Sequence, residues 1–116
     1  SVLWFSCENS TEPESESVTM AKYQVTGGIN MTWLRYKDQY GNLHEINNCY
    51  LPWEYTFECN SGDELYLYAN AGAWALDDQC SSGLYWNKLR IFINDEKVKD
   101  ATAHFCEPIT IQTTCP

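Results

Sequence analysis

The amino-acid sequence predicts an all-β protein, an immunoglobulin-like antiparallel β-sandwich of seven or eight short strands that is stabilised by disulfides. Three observations lead to this fold class. Short runs rich in β-branched and aromatic residues alternate with turn residues along the chain. No stretch has apolar residues at helical spacing over two or more turns, so we expect very little helix. Six cysteines in 116 residues are typical of a small domain in an oxidising compartment.

Turn residues and one proline separate the apolar runs in the first half of the domain. The strands predicted there are Val18–Val25, Asn30–Lys37, Leu43–Cys49 and Glu54–Cys59. In the second of them, Leu34 and Tyr36 are expected to face the core. Asp38–Asn42 is predicted to be a hairpin connection, because Gly41 can adopt the positive φ that a tight loop needs. Pro52 is expected to interrupt the sheet, because proline has no N–H to donate.

In the second half, aliphatic residues alternate with tyrosines or polar residues, which is the period-two pattern of half-buried strands. The strands predicted there are Glu64–Ala69, Lys88–Asn94 with Leu89, Ile91 and Ile93 inward, a short strand around Val98, and Pro108–Thr113. Turns are expected at Asn60–Asp63 and Asn94–Lys97. Asn70–Asn87 is predicted to be one long irregular loop.

The chain is expected to form one domain over residues 18–116, preceded by a polar, acidic segment or tether over residues 1–17. Leu3–Cys7 looks like the end of a bacterial lipoprotein signal, so Cys7 is a candidate lipid anchor. An anchor followed by an acidic spacer is similar to surface lipoproteins of Gram-negative bacteria. The competing prediction is that Cys7 forms a disulfide.

The cysteines are predicted to form three disulfides, for which 15 connectivities are possible. They are Cys7, Cys49, Cys59, Cys80, Cys106 and Cys115. None forms a CxxC pair, and neither His44 nor His104 has a partner at zinc-finger spacing, so we expect no metal site.

The formal net charge of −9 disfavours binding to nucleic acid or to an anionic membrane, because phosphates attract clustered Lys and Arg. The sequence contains no run of about 18 apolar residues, so we expect no transmembrane segment. Together with the cysteines, these observations predict an extracytoplasmic location, in the periplasm, at the cell surface or secreted.

We expect no enzymatic activity and no cofactor. The sequence contains no Gly-x-Ser-x-Gly elbow, and its two histidines are far apart. The acidic pairs are mostly at predicted turns, where solvated carboxylates are common. Asp77–Asp78 in the long loop could contribute oxygens to Ca²⁺, but no calcium-loop pattern surrounds it.

Aromatic residues are the strongest indication of a binding site. Five Trp, eight Tyr and four Phe exceed what so small a core requires. The candidate binding residues are Trp74, Tyr85 and Trp86 in the long loop, and Tyr66 and Tyr68 on the outer face of one strand. Such rings suit a surface that binds a protein or a glycan. Alternatively, the loop buries its own tryptophans.

Five fragments resemble, in order and spacing, the extracytoplasmic domain of the MmpS family of transport accessory proteins. They are Tyr23–Gly27, Leu34–Gly41, Leu51–Trp53, Gly62–Leu67 and Arg90–Asp95. The resemblance covers residues 18–115. It implies a small β-sandwich outside the cytoplasmic membrane that assists an envelope transport system. Cys115 lies near the position of a late family cysteine, whose partner just before the Ile91 strand is missing here unless Cys80 substitutes from the long loop.

The sequence therefore predicts a non-enzymatic, secreted or envelope-associated binding or accessory domain. The alternative is a carbohydrate-binding module that uses the loop and strand aromatics.

Overall fold

The computed structural model describes residues 10–11, 18–27, 31–70, 86–104 and 107–116. Within these ranges the chain forms nine β-strands and no helix. The strands are β1 (Ser10–Thr11), β2 (Thr19–Gly27), β3 (Met31–Lys37), β4 (Leu43–Tyr50), β5 (Trp53–Cys59), β6 (Glu64–Asn70), β7 (Trp86–Ile93), β8 (Glu96–His104) and β9 (Ile109–Thr114). Across the same ranges, no helix is long and apolar enough to cross a membrane.

The strands form two sheets, which confirms the predicted disulfide-stabilised β-sandwich. One sheet has five strands in the order β1-β5-β2-β7-β8, and the other has four in the order β4-β3-β6-β9. Every pairing is antiparallel except that of β1, which pairs parallel with β5 at Tyr55 and Thr56. The β1 strand lies within the segment that we predicted to be a tether.

The core fills the space between the sheets, and period-two alternation decides which side chains enter it. In β6, Leu65, Leu67 and Ala69 are fully buried, whereas the tyrosines between them face outward. In β7, Leu89, Ile91 and Ile93 are buried as predicted. The largest fully buried side chains are Trp53, Tyr23 and Phe57.

Two tight turns follow from residues that tolerate positive φ. Gly41 has a φ of 82° in the β3–β4 hairpin, and its N–H donates to the Asp38 carbonyl over 3.1 Å. Asn94 and Asp95 have φ values of 50° and 68°, the two consecutive positive values of a type I′ hairpin. Both turns therefore lie where the sequence predicts them.

The β8 strand is longer than the short strand expected around Val98. It pairs with β7 from Glu96 to His104, with a register shift opposite Ile91 and Phe92. It is an edge strand, and most of its side chains are exposed. A strand of this kind lacks the apolar alternation on which the prediction relied.

Trp86 and Asn87 belong to β7, although we predicted them within the long loop. The residues pair with β8, and Asn87 also lies opposite Gly27 of β2. A Cβ atom at position 27 would collide with the Trp86 carbonyl oxygen and lie 3.0 Å from Asn87 Oδ1. Glycine therefore allows β2 and β7 to approach closely here, and the ladder extends beyond its apolar part.

A disulfide joins Cys59 to Cys115, with their Cα atoms 6.2 Å apart. It links the end of β5 in one sheet to the residue after β9 in the other. Cys80 therefore does not substitute for the family partner of Cys115, because Cys115 is bonded to Cys59. The β5–β6 turn, which follows Cys59, holds Cys115 in place by two backbone hydrogen bonds. The Gly62 N–H donates to the Cys115 carbonyl over 2.9 Å, and the Cys115 N–H donates to the Asp63 carbonyl over 2.8 Å.

Cys49 is also disulfide-bonded, and its partner lies outside the described residues. Cys7, Cys80 and Cys106 lie outside them as well. Two of the predicted disulfide positions are thus assigned to each other, and a third is known to be cross-linked.

Candidate functional site

The outer surface of the four-stranded sheet brings several aromatic and polar side chains together. We call this surface the aromatic face and define it by Trp33, Arg35, Tyr66, Tyr68 and Asn70. In the ladder between β3 and β6, Trp33 lies opposite Asn70 and Arg35 lies opposite Tyr68. All five side chains point outward, because they alternate along their strands with residues that face the core, namely Leu34, Leu65, Leu67 and Ala69. Each of the five is half-buried.

Arg35 and Tyr68 form the centre of the aromatic face. The guanidinium carbon of Arg35 lies 5.1 Å from the centroid of the Tyr68 ring, within the range of a cation–π interaction. Its Nε donates to Glu45 Oε2 on β4 over 2.8 Å, and this hydrogen bond raises the pKa of Arg35. The Asn70 amide donates to the Tyr68 hydroxyl over 3.1 Å. The ring of Tyr68 is therefore in contact with Arg35, and its hydroxyl is hydrogen-bonded to Asn70.

Tyr66 lies beside this centre on the same strand. The residue is opposite Gln112 of β9, and its backbone N–H donates to the Tyr23 hydroxyl over 3.2 Å. An ion pair between Lys37 and Glu64 borders it on the β3 side. Tyr66 thus lies between Gln112 of β9 and the Lys37–Glu64 ion pair.

The predicted binding residues that the structure describes lie on two different sheets. Tyr66 and Tyr68 share the outer face of β6, as predicted. Trp86 begins β7 in the other sheet, and it alternates there with buried residues so that it faces away from the core. Trp74 and Tyr85 lie outside the described residues.

Trp33, Arg35 and Asn70 complete the aromatic face but were not among the predicted site residues. The sequence did contain a signal for Trp33 and Arg35, because both alternate with the inward-facing Leu34 in β3. Their position beside Tyr68 depends on the pairing of β3 with β6, two strands separated by more than 25 residues. Local periodicity does not specify that pairing.

His44 takes part in the structure of the β3–β4 hairpin. Its Nε2 lies 2.7 Å from Asp38 Oδ2, and its ring stacks on Tyr36 with the centroids 5.0 Å apart. The side chain of His104 lies outside the described part of the chain. Among the described residues, no group of three or more His, Cys, Asp or Glu side chains is placed to hold a metal ion.

The sequence matches no known family model, and no curated protein is detectably similar to it. The resemblance to the MmpS family therefore stays a prediction.

Proposed function

We propose that this protein is a non-enzymatic, extracytoplasmic binding domain that engages a protein partner through its aromatic face. The observation that carries the proposal is the grouping of Trp33, Arg35, Tyr66 and Tyr68 on the outer surface of one sheet. Trp, Tyr and Arg are the residue types that contribute most of the binding energy at protein interfaces.

The contacts within the aromatic face favour binding because they hold its side chains in place before a partner arrives. Arg35 is fixed by Glu45 and by the Tyr68 ring, and the Tyr68 hydroxyl accepts from Asn70. Ordering a flexible side chain on binding costs about 0.5–1.5 kcal/mol. A surface that is already ordered avoids part of this cost.

A carbohydrate-binding module is the second candidate, and the spacing of two tyrosines favours it. Tyr66 and Tyr68 are alternate residues of one strand, so their Cα atoms are separated by about 7 Å along it. Gln112 opposite Tyr66 could hydrogen-bond sugar hydroxyls. The Arg35 guanidinium lies over the Tyr68 ring, however, and competes with a sugar for that surface. We therefore favour a protein partner.

The extracytoplasmic location forms part of the proposal and is supported by the Cys59–Cys115 disulfide and the second cross-link at Cys49. A lipid anchor at Cys7 and a role beside an envelope transport system are further parts of it. They rest on the sequence around Cys7 and on the resemblance to the MmpS family.

The proposal can be tested with Tyr68→Ser and Arg35→Gln variants. The immobilised wild-type domain is used to capture proteins from an envelope extract of the producing cells, and the captured protein is then purified for Kd measurements. We expect each variant to bind it at least about tenfold more weakly, as for residues at an interface centre. Tyr40→Ser is the matched control, because Tyr40 is 77% exposed in the β3–β4 turn and lies outside the aromatic face.

Two results would contradict the proposed protein partner. Equal binding by all variants would place the interface on another surface. Binding to neutral glycans on an array, with loss in Tyr66→Ser, would instead establish the carbohydrate-binding module. Thermal denaturation of every variant verifies that the sandwich remains folded.

A further inference from the structure

The outer surface of the five-stranded sheet has a different chemical character from the rest of this acidic protein. We call it the basic face and define it by Trp86, Lys88 and Arg90 of β7, Lys22 of β2 and Lys97 of β8. It holds four of the chain's seven Lys and Arg residues, although the formal net charge is −9. Cationic side chains are therefore concentrated on this surface, which also carries the carboxylates of Glu54, Glu58 and Asp100.

Several contacts hold the cations of the basic face in place. Arg90 Nη1 donates to Gln24 Oε1 over 2.7 Å, and the Gln24 amide donates to Glu54 over 2.7 Å. Lys22 Nζ lies 4.6 Å from the centroid of the Phe92 ring. Lys97 pairs with Asp100 over 3.1 Å.

Lys88 and Arg90 carry positive charge on this face, and after Lys97 they also lower the pKa of the neighbouring Asp100 carboxyl. Neither takes part in an ion pair with the carboxylates that the structure describes. The nearest acidic group in the ladder is Asp100, which is opposite Arg90 and bonded to Lys97. Lys88 and Arg90 are alternate residues of one strand, so their Cα atoms are separated by about 7 Å along it.

These two cations line a surface depression together with Trp86 and Thr102. Thr102 lies opposite Lys88 in the ladder between β7 and β8. The depression thus combines two cationic groups, a hydroxyl and an indole ring. Charge-assisted hydrogen bonds from Lys and Arg suit a carboxylate or a sulfate, and an indole offers an apolar surface to a ring.

We propose that this depression binds an anionic sugar unit of an acidic polysaccharide. Lys88 and Arg90 bind its carboxylate or sulfate, Trp86 packs against the sugar ring, and Thr102 hydrogen-bonds a ring hydroxyl. A polysaccharide fits better than an acidic peptide, because Asp and Glu side chains carry no ring to place against Trp86. The site is separate from the aromatic face, so either proposal can fail without the other.

The experiment measures binding of the folded protein to polygalacturonate, which carries carboxylates, and to dextran sulfate, with neutral dextran as the uncharged comparison. We expect at least one anionic polymer to bind and dextran not to bind. Raising the NaCl concentration from about 0.1 M to about 1 M shortens the Debye length from about 10 Å to about 3 Å, and should weaken binding. Comparison of the two anionic polymers distinguishes a carboxylate from a sulfate ligand.

Two variants test the assigned residues. A Lys88→Gln/Arg90→Gln double variant is expected to lose at least about tenfold in affinity, equivalent to about 1.4 kcal/mol. Trp86→Ser should weaken polysaccharide binding while leaving the weaker binding of poly-L-glutamate unchanged. Lys99→Gln is the control for net charge, because Lys99 lies opposite the inward-facing Ile91 and its substitution removes one positive charge outside the depression, half the charge that the double variant removes. Circular dichroism verifies the fold of each variant.

Four results would overturn the proposal. One is the absence of binding to both anionic polymers. A second is a loss of binding free energy in Lys99→Gln that is half or more of the loss in the double variant, which would indicate attraction by net charge alone. A third is binding of poly-L-glutamate as tight as that of the polysaccharides, which would indicate an acidic peptide. The fourth is preferential binding to phosphatidylglycerol vesicles, which would indicate a membrane surface.

Discussion

Tyr23 crosses the core and joins the two sheets by hydrogen bonds. Its hydroxyl donates to the Lys37 carbonyl over 2.6 Å and accepts from the Tyr66 N–H over 3.2 Å. Lys37 and Tyr66 lie next to Tyr36 and Leu67, the last paired residues of the ladder between β3 and β6. A side chain of the five-stranded sheet thus completes the pairing of the other sheet, below the aromatic face. Burial raises the pKa of Tyr23 well above its ordinary value.

Tyr23→Phe should lower the free energy of unfolding by about 1–3 kcal/mol, because two partly buried hydrogen bonds of about 0.5–1.5 kcal/mol each are lost. Urea denaturation at pH 7 measures this loss. The dependence on pH should change as well. Because the pKa of Tyr23 is raised in the folded protein, its contribution to the free energy of unfolding is complete below about pH 10 and declines as the pH rises further.

The wild type should therefore lose more stability than Tyr23→Phe between about pH 9 and pH 11, a range around the ordinary pKa of tyrosine. The other tyrosines are common to both proteins and cancel in the comparison. Equal losses over this range would show that the Tyr23 hydroxyl is not protected from ionisation in the folded protein.

At the scale of the element, the β3–β4 hairpin is organised around the Asp38 carboxylate. Its Oδ1 accepts from the backbone N–H groups of Tyr40 and Asn42 over 2.8 and 3.0 Å. Its Oδ2 lies 2.7 Å from His44 Nε2. Burial opposes ionisation of Asp38, but the hydrogen bonds from His44, Asn42 and Tyr40 outweigh it, so the pKa of Asp38 is lowered.

Asp38→Asn should reduce the free energy of unfolding at pH 7 by about 0.5–1.5 kcal/mol, as for a lost hydrogen bond. A lowered native-state pKa stabilises the fold above the ordinary pKa of aspartate, about 3.9, and this contribution disappears as the pH falls through the native value. The difference between wild type and variant should therefore shrink on acidification from neutral pH to about pH 3. An unchanged difference at both pH values would contradict the assigned role of the charge.

The sequence predicts the elements whose own residues carry the structural signal. β6 and β7 alternate apolar residues through their buried parts, and Gly41 identifies its hairpin turn. β8 was predicted too short because an exposed edge strand needs no apolar alternation. The parallel pairing of β1 depends on the backbone of β5, a partner more than 40 residues away.

The candidate site was predictable only in part for the same reason. The outward direction of Tyr66 and Tyr68 follows from the alternation of β6. Which sheet Trp86 enters depends on the pairing of β7 with β2, and the partner of Cys115 depends on how the sheets meet. These are long-range relationships that the residues near each position do not encode.

The two outer surfaces of the sandwich differ in chemistry. One presents tyrosines, a tryptophan and a neutralised arginine, and the other presents cations that include Lys88 and Arg90. A sandwich keeps such surfaces apart, because the two sheets pack about 10 Å from each other and each faces solvent on one side. The two proposed ligands would therefore occupy separate surfaces of the sandwich.

The Cys59–Cys115 disulfide should contribute strongly to global stability, because it links residues separated by 56 positions. The chain-entropy model gives about 4 kcal/mol for a loop of this size. A Cys59→Ala/Cys115→Ala double variant should lose a comparable free energy of unfolding in urea denaturation, while the cross-link at Cys49 remains. An unchanged denaturation midpoint would mean that hydrogen bonding around Asp63 and Cys115 suffices to hold the sheets together.

The same bond affects how the domain bears a mechanical load. Cys59 and Cys115 close a covalent ring that contains β6, β7, β8 and β9. A pull applied between residues before Cys59 and residues after Cys115 is transmitted through the sulfur–sulfur bond, which bypasses the backbone of the ring. A ligand held at Tyr68 or Arg90 therefore sits on strands inside this ring, whose backbone the Cys59–Cys115 bond relieves of part of that tension.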